Sequence, residues 1–364
     1  MENKRRTIVI TGGGTGGHLF PALAVAEALR EMAPDVDLLY ISRENIRDRS
    51  EVERRNIPFQ GFKLSGLRRK ISLKNILALW RFAAALIKCW FLLRRQSKGV
   101  VFGVGGYAAA PAMAAGKLAG WKLALHEQNS VPGLVNRVMA SRCDSVFLTF
   151  DSTREYLSGV STVTTGLPMR KELLEAMDSA PTDKKKDGPF VLIMGGSQGA
   201  RKLVETGLKV LQKISERGVA FKALIQTGEK NYDWAVSLPK PDEVELTPFI
   251  ENMAEVYKKT DIVVSRAGSG SLSEIALLGL PSILIPYPFA SEDHQLINAR
   301  GFLNTGAAYL IEEQDLTPER LGEYLSSLLQ RDEERLAMGQ CALSLAKRDA
   351  ANTIAKELLR LLNI

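Results

Sequence analysis

The stretch from Asp261 to Pro281 reads D-I-V-V-S-R-A-G-S-G-S-L-S-E-I-A-L-L-G-L-P, a strand, a glycine turn and a helix in succession. Ile262 to Ser265 form a short apolar, β-branched run, and the turn that follows carries Gly268 and Gly270. A helix that opens directly after such a turn points its first backbone N–H groups outward, and its dipole favours negative charge there. Glu274 stands one turn into the helix. A carboxylate at that point accepts two hydrogen bonds at once, which suits the paired hydroxyls of a ribose. A diphosphate at the helix tip with a ribose beside it describes a nucleoside diphosphate. A second reading is purely local. Ser271-Leu272-Ser273-Glu274 fits the capping box, in which serine and glutamate satisfy the first helical N–H groups reciprocally.

A chain of 364 residues is long enough for two domains, each burying its own core. With 45% hydrophobic and 24% charged residues, its composition is that of a globular protein and excludes a disordered one. Cys89, Cys143 and Cys341 lie far apart and are odd in number. They form no disulfide framework and no metal-ligand spacing, so a reducing compartment is expected. The opening M-E-N-K-R-R-T-I-V-I meets glycine too soon for a signal-peptide core, and a cytoplasmic location is expected. The net charge of +7 points to an anionic partner: nucleic acid, a membrane surface or a phosphate ligand. That charge is unevenly spread. No Asp or Glu occurs between Glu53 and Glu127, an interval dense in Lys and Arg, so the basic excess belongs to the N-terminal half.

Thr7 to Thr11 is a short β-branched run followed by G-G-G-T-G-G-H and an amphipathic segment, the opening of a doubly wound α/β unit. Gly12, Gly14 and Gly17 satisfy G-x-G-x-x-G, and a second strand at Leu38 to Ile41 ends in Ser42-Arg43-Glu44. An NADP site, with Arg43 near the 2′-phosphate, is therefore one rival reading. His18 follows the last glycine and falls at the carboxyl edge of the sheet. There an imidazole either serves as a base near neutral pH or packs at the helix start.

Ile71 to Leu93 is the most apolar helix-length segment, with Lys74, Arg81 and Lys88, then Arg95, spaced every seven residues on one face. A membrane span needs about twenty mostly uncharged residues, and these charges interrupt the segment too regularly. Two readings stand: a helix buried on three sides with a wet basic stripe, or an interfacial surface. In the second, Ile76, Leu77 and Trp80 touch acyl chains while the basic residues meet lipid headgroups. Such a segment is too apolar for a groove that tracks a nucleic-acid backbone, which argues against that partner.

A further strand ends in Gly103, Gly105, Gly106 and Tyr107, where a ligand can approach the backbone closely. Lys122 to Leu125 is read as a strand that delivers His126-Glu127-Gln128-Asn129 to the same edge, with a helix starting near Pro132. These residues suit a polyhydroxylated ligand, Asn129 for sugar contact, although His126 and Glu127 equally suit loop ordering. Thr162 to Arg170 is read as the interdomain linker. Phe190 to Met194 then restarts the plan with G-G-S-Q-G-A-R, where Ser197 either binds a phosphate or forms the turn. Strands near Ala223–Gln226, Val244–Leu246, Ile262–Ser265 and Ser282–Ile285 complete a second parallel sheet. Gln295 is placed to read hydroxyls, His294 is as well explained structurally, and a last helix spans Ala350 to Leu362. The resulting organisation is residues 1–165, residues 166–345 and a C-terminal helix at 346–364 packing back toward the first domain, with a cleft between the domains as the expected active site.

Seven motifs in register carry a resemblance: T-G-G-G-T-G-G-H with F-P-A-L-A, G-G-Y-A-A-A-P, H-E-Q-N-S-V-P-G-L-V-N-R, G-L-P-M-R, G-G-S-Q-G-A-R, S-E-I-A-L-L-G-L-P and D-H-Q-x-x-N-A. Over nearly the whole chain they resemble the N-acetylglucosaminyltransferases of bacterial peptidoglycan synthesis, in glycosyltransferase family 28. The resemblance implies a GT-B fold, two Rossmann-like doubly wound parallel-sheet domains facing across a cleft. It also implies inverting transfer of GlcNAc from UDP-GlcNAc to lipid I at its muramoyl 4-hydroxyl, giving lipid II, with no cofactor and no essential metal. The partners it implies are those two substrates, an anionic membrane surface at the cytoplasmic face, and other cell-wall and division proteins. By this likeness Thr15, Gly16, Gly17 and His18 face the reacting sugars, and Gly13, Gly14, Gly105, Gly106 and Tyr107 face the acceptor diphosphate. Asn129 holds GlcNAc, Arg170 and Ile250 lie near the uracil, and Ser197 lies by the donor diphosphate. Ser269, Gly270, Ser271, Leu272 and Ser273 line the nucleotide, Glu274 the ribose and Gln295 the sugar. His18 is the expected base and Glu127 the reserve. The family more often reads alanine, another residue, then threonine where this chain has Ser269-Gly270-Ser271. Ser271 keeps the hydroxyl.

Overall fold

The computed structural model describes residues 6–65, 73–178, 188–196 and 199–364. The chain divides into two compact units, Met1–Lys171 with Arg348–Ile364, and Glu172–Lys347. In the first unit the order is β1 (Thr7–Thr11), α1 (Gly16–Met32), β2 (Asp37–Arg43), α2 (Ile46–Glu53), β3 (Phe59–Phe62) and α3 (Leu73–Arg94). There follow β4 (Val100–Gly103), α4 (Ala110–Leu118), β5 (Lys122–Glu127), α5 (Leu134–Ala140), β6 (Ser145–Leu148) and β7 (Thr162–Thr164). After α6 (Lys171–Asp178), the second unit runs β8 (Phe190–Met194), α7 (Arg201–Glu216), β9 (Lys222–Gln226), α8 (Tyr232–Val236), β10 (Val244–Thr247) and α9 (Met253–Lys259). It continues with β11 (Ile262–Ser265), α10 (Ser269–Leu278), β12 (Ser282–Leu284), α11 (His294–Asn304), β13 (Ala308–Leu310), α12 (Pro318–Gln330) and α13 (Asp332–Ser344). The closing helix, α14 (Ala350–Leu361), belongs to the first unit.

The first unit holds a seven-stranded sheet in the order β3-β2-β1-β4-β5-β6-β7, and the second a six-stranded sheet in the order β10-β9-β8-β11-β12-β13. The pairings are parallel, and the inner strands β1, β4 and β11 are buried throughout and read as near-continuous apolar runs, whereas the edge strands β3, β7 and β10 are partly exposed. The period of two divides β1 cleanly. Ile8 and Ile10 enter the core shared with α1 and α14, while Val9 enters the core on the side of α3 and α4. Ile354, Ala355, Leu358 and Leu359 make the apolar stripe of α14, which lies on the small residues Ala22 and Ala26 of α1. The Arg6 guanidinium donates to the last carbonyls of that helix, Leu362 O and Asn363 O, each at 2.7 Å.

Parallel order reverses between β1 and β4 in one sheet and between β8 and β11 in the other. Such switch points open a crevice at the carboxyl ends of the strands. The loops that fall there are Gly12–Thr15 and Val104–Tyr107 in the first unit, and Gly195–Gly196 and Arg266–Gly268 in the second.

Two expectations need correction, and one of the two readings of α3 falls away. Thr162–Thr164, read as linker, is the edge strand β7, because its β-branched residues pair with Val146–Leu148. The strand expected to stop at Leu125 continues through His126 and Glu127, both buried, and α5 begins at Leu134 after Gly133 rather than near Pro132. α3 is not buried on three sides. Only the seam Ala78, Ala85, Cys89 and Leu93 is buried, packed against α4, while Ile76, Leu79, Ile87 and Phe91 are exposed and Trp80 is 71% exposed. By length and composition alone Asn75–Arg94 meets the requirement for crossing a membrane, with mean hydropathy 1.8 and 22% of the window buried. Ile71 and the side chain of Lys74 lie outside the described residues.

Candidate functional site

In the first unit the glycine loop is gripped by the strand and helix beside it. All three residues Gly12, Gly13 and Gly14 have positive φ. A Cβ on Gly12 would lie 2.2 Å from Val104 Cγ2, and one on Gly13 would lie 2.8 Å from Asp48 Oδ2, so only glycine fits. The Tyr40 hydroxyl donates to Gly12 O at 3.2 Å, and Gly14 N donates to the buried Asp48 carboxylate at 2.8 Å. Arg43, considered for a 2′-phosphate, donates instead to the Tyr107 hydroxyl at 2.9 Å and to Gly14 O at 3.4 Å. A carboxylate in the amide hollow and an arginine so engaged disfavour a dinucleotide pyrophosphate there.

The loop delivers Thr15, Gly16 and Gly17, all exposed, and the partly exposed His18. Thr15 Oγ1 lies 2.8 Å from His18 Nδ1. The imidazole reaches across the switch point: a Cβ on Gly106 would lie 3.9 Å from His18 Cε1. Gly13, Gly14, Gly105, Gly106, Tyr107 and His18 therefore share one edge.

Glu127, the reserve base, is 2% exposed. One of its oxygens accepts the Asn129 amide at 2.9 Å, and the other accepts Gly133 N at 3.1 Å and Asn136 Nδ2 at 2.8 Å. Burial pushes its carboxyl up, while those bonds pull it down. Both oxygens are engaged in ordering the loop that carries the half-buried Asn129. His126 is wholly buried, with Nε2 donating to Gly166 O at 2.9 Å, and burial pushes its pKa down to about 4. Gln128 Nε2 donates to Val104 O at 2.8 Å, tying the β5 loop to the β4 loop. Arg170, expected near a uracil, belongs to the first unit and lies over the Phe20 ring, 4.7 Å from its centroid.

In the second unit α10 begins at Ser269 with Gly268 as its N-cap and no side-chain cap bond. The capping box would need Ser271 at the N-cap, three residues beyond Gly268, and it does not form. Glu274 instead accepts the Tyr257 hydroxyl at 2.7 Å. Cβ positions on Gly268 and Gly270 meet nothing within 4 Å. The amides of Ser269, Gly270 and Ser271 precede the first intrahelical bond, from Leu272 N to Gly268 O at 3.0 Å. The Leu272 side chain is fully buried with Ile275 and Ala276, and its amide is committed to the helix. Ser271 and Ser273 remain half-buried at the tip.

The turn before α10 is braced from below. Arg266 is buried and donates to Ile285 O and Pro286 O, each at 3.1 Å, while pairing with Glu313. Gln295 Oε1 accepts Tyr287 N at 3.0 Å, which anchors its amide group, and Ile250 is buried. Ser197 lies outside the described residues. Among the described residues no group of three or more metal-ligating side chains occurs. Reading the sequence alone missed Asp48, Asn136 and Tyr257. No spacing flags them, because each acts across the fold on a glycine turn or carboxylate that the sequence did flag.

Two Rossmann-like units, each with a glycine turn at its switch point, make up the GT-B class of fold. Residues 8–148 match the glycosyltransferase family 28 N-terminal domain and residues 190–354 the family 28 C-terminal domain. The chain belongs to glycosyltransferase family 28. It is 37% identical over 359 residues, 96% of each chain, to the UDP-N-acetylglucosamine–N-acetylmuramyl-(pentapeptide) pyrophosphoryl-undecaprenol N-acetylglucosamine transferase of Desulforamulus reducens. It is 35% identical to the protein of that name in Bacillus cytotoxicus, over 98% of this chain and 99% of the other. The crystal structure of Acinetobacter baumannii MurG superposes with a TM-score of 0.78 at 25% identity, covering 98% of this chain and 99% of that one.

Proposed function

We propose that this chain transfers N-acetylglucosamine from UDP-GlcNAc to the muramoyl 4-hydroxyl of lipid I (undecaprenyl-diphospho-MurNAc-pentapeptide), inverting the anomeric centre and forming lipid II. The observation that carries the reading is the full-length kinship with transferases named for that reaction. The chemistry of the two switch points supports it. The second unit takes the leaving group. The open amides and dipole of α10 at Ser269–Ser271 receive the diphosphate, and Glu274 receives the ribose. The first unit supplies the base. Thr15 Oγ1 and His18 Nδ1 lie 2.8 Å apart, and in the tautomer with the proton on Nδ1, Nε2 carries the lone pair. As the acceptor oxygen bonds to the anomeric carbon, that carbon's bond to the diphosphate breaks, Nε2 takes the hydroxyl proton and UDP departs. Glu127 holds the Asn129 loop, and Asn129 serves sugar recognition. The helix tip provides the charge stabilisation, so the reaction needs neither metal nor organic cofactor.

A lipid-linked acceptor requires the enzyme at a membrane, and α3 offers the surface. Its apolar face is exposed, and Arg81, Lys88 and Arg94 belong to the same helix. Such a helix lies in the interface with basic groups at anionic headgroups. A crossing orientation would pull the Ala78–Leu93 seam off α4. We therefore assign peripheral attachment at the cytoplasmic face.

One assay tests both parts: UDP-GlcNAc with lipid I in phosphatidylglycerol vesicles, in the presence of EDTA. The wild type forms the β-linked disaccharide lipid, and His18→Ala lowers kcat by about 10²–10⁴-fold with both substrates saturating. Replacing Arg81 and Lys88 by glutamine weakens co-sedimentation with the vesicles by roughly 10–30-fold at low salt. Near-normal turnover of His18→Ala overturns the base. Unchanged sedimentation overturns the surface, and product formed only with another sugar nucleotide overturns the donor.

A further inference from the structure

Glu274 is a partly exposed side chain with three rotatable bonds, yet its proposed work demands one orientation. Holding such a side chain costs rotamer freedom, and binding is weaker if the ligand alone must supply that ordering. The ordering group is already present. Tyr257, on α9, is 2% exposed, and its hydroxyl donates to Glu274 Oε2 at 2.7 Å. The Tyr257 hydroxyl oxygen also lies 4.0 Å from Met194 Sδ at the end of β8, which places it beside the β8–β11 switch point. A buried phenol needs a hydrogen-bond partner, and a carboxylate is the strongest on offer. The ring cannot swing, so the carboxylate is fixed from behind.

We propose that Tyr257 is a positioning residue for the donor nucleotide, holding the Glu274 carboxylate in the attitude that accepts the vicinal hydroxyls of a ribose and so favouring ribonucleotide over 2′-deoxyribonucleotide donors. The proposal rests on the reading of Glu274 given above. Burial, together with the Glu274 charge, pushes the Tyr257 phenol well above its ordinary pKa, so it remains a donor throughout the working pH range.

Tyr257→Phe removes one oxygen and keeps the ring. The Michaelis constant for UDP-GlcNAc should rise about 5-fold while kcat and the acceptor Michaelis constant hold. The kcat/KM ratio between UDP-GlcNAc and its 2′-deoxyuridine analogue should shrink by a similar factor. That ratio is independent of the folded fraction, so it decides the matter even if the variant is partly unfolded. Glu274→Ala is the control. If Glu274→Ala weakens donor binding but Tyr257→Phe leaves both the constant and the ratio within twofold, the inference is overturned and the donor site stands. If Glu274→Ala also leaves donor binding unchanged, the donor site and the inference fall together.

Discussion

The glycine loop after β1 and the glycine turn before α10 share one grammar, strand then glycine then helix, and end in opposite states. In the first unit the hollow is closed from within: Asp48 occupies the Gly14 amide, Tyr40 the Gly12 carbonyl, and Val104 the space beside Gly12. In the second, Gly268 and Gly270 face open space and the helix has no side-chain cap. One motif is a rigid bracket that aims His18, and the other is a helix start that no side chain caps. Glycine content alone does not distinguish them. What does is whether a neighbouring side chain has already satisfied the amides.

The comparison breaks most readily at Gly12. Alanine there meets Val104 Cγ2 with φ at 147°, so Gly12→Ala should lose roughly 2–4 kcal/mol in denaturant unfolding. An unchanged midpoint would mean that the loop is no bracket.

Acid acts on the same edge through His126. Burial lowers its folded pKa to about 4, below the ordinary value of 6.5, so the unfolded chain binds its proton first. Its contribution is complete above pH 6.5, falls as pH drops through 6.5 toward 4, and then levels off, a loss of very roughly 3 kcal/mol. His126→Gln should flatten that limb of the stability profile. A slope that survives the substitution assigns it to other groups.

The smallest effect carries the sharpest contrast. Gly270→Ala lies in a helix with ordinary φ and no neighbour within 4 Å, so it should raise stability by about 0.5 kcal/mol. It should also raise the UDP-GlcNAc Michaelis constant several-fold, because its methyl group enters the site proposed for the donor diphosphate. A stabilised variant with unaltered donor binding would remove α10 from the site.

Where the fold was legible, the strands were continuous β-branched runs closed by glycine or aspartate: Thr7–Thr11, Phe190–Met194 and Ile262–Ser265 have the same bounds in sequence and structure. It was less legible where polarity misleads. His126 and Glu127 look like loop residues, but they are buried strand residues whose polar atoms are satisfied by Gly166, Asn129, Gly133 and Asn136. Thr162–Thr164 is too short to announce a strand and is one only because β6 lies beside it. Of the candidate site, the glycine turns and the residues they carry could be read from spacing. Asp48 and Tyr257 could not, since each earns its role from a partner 34 or 17 residues away in the chain.

The helix α14 has a consequence for biosynthesis. Its stripe Ile354–Leu359 completes the core of a unit whose other elements end at Lys171, with the whole second unit inserted between. On the ribosome, residues 172–347 emerge in full before the first unit can be finished, so the flank of α1 stays uncovered until residues 350–361 follow. Deleting that helix would leave the amino-terminal lobe, rather than the carboxyl-terminal one, dependent on chaperones.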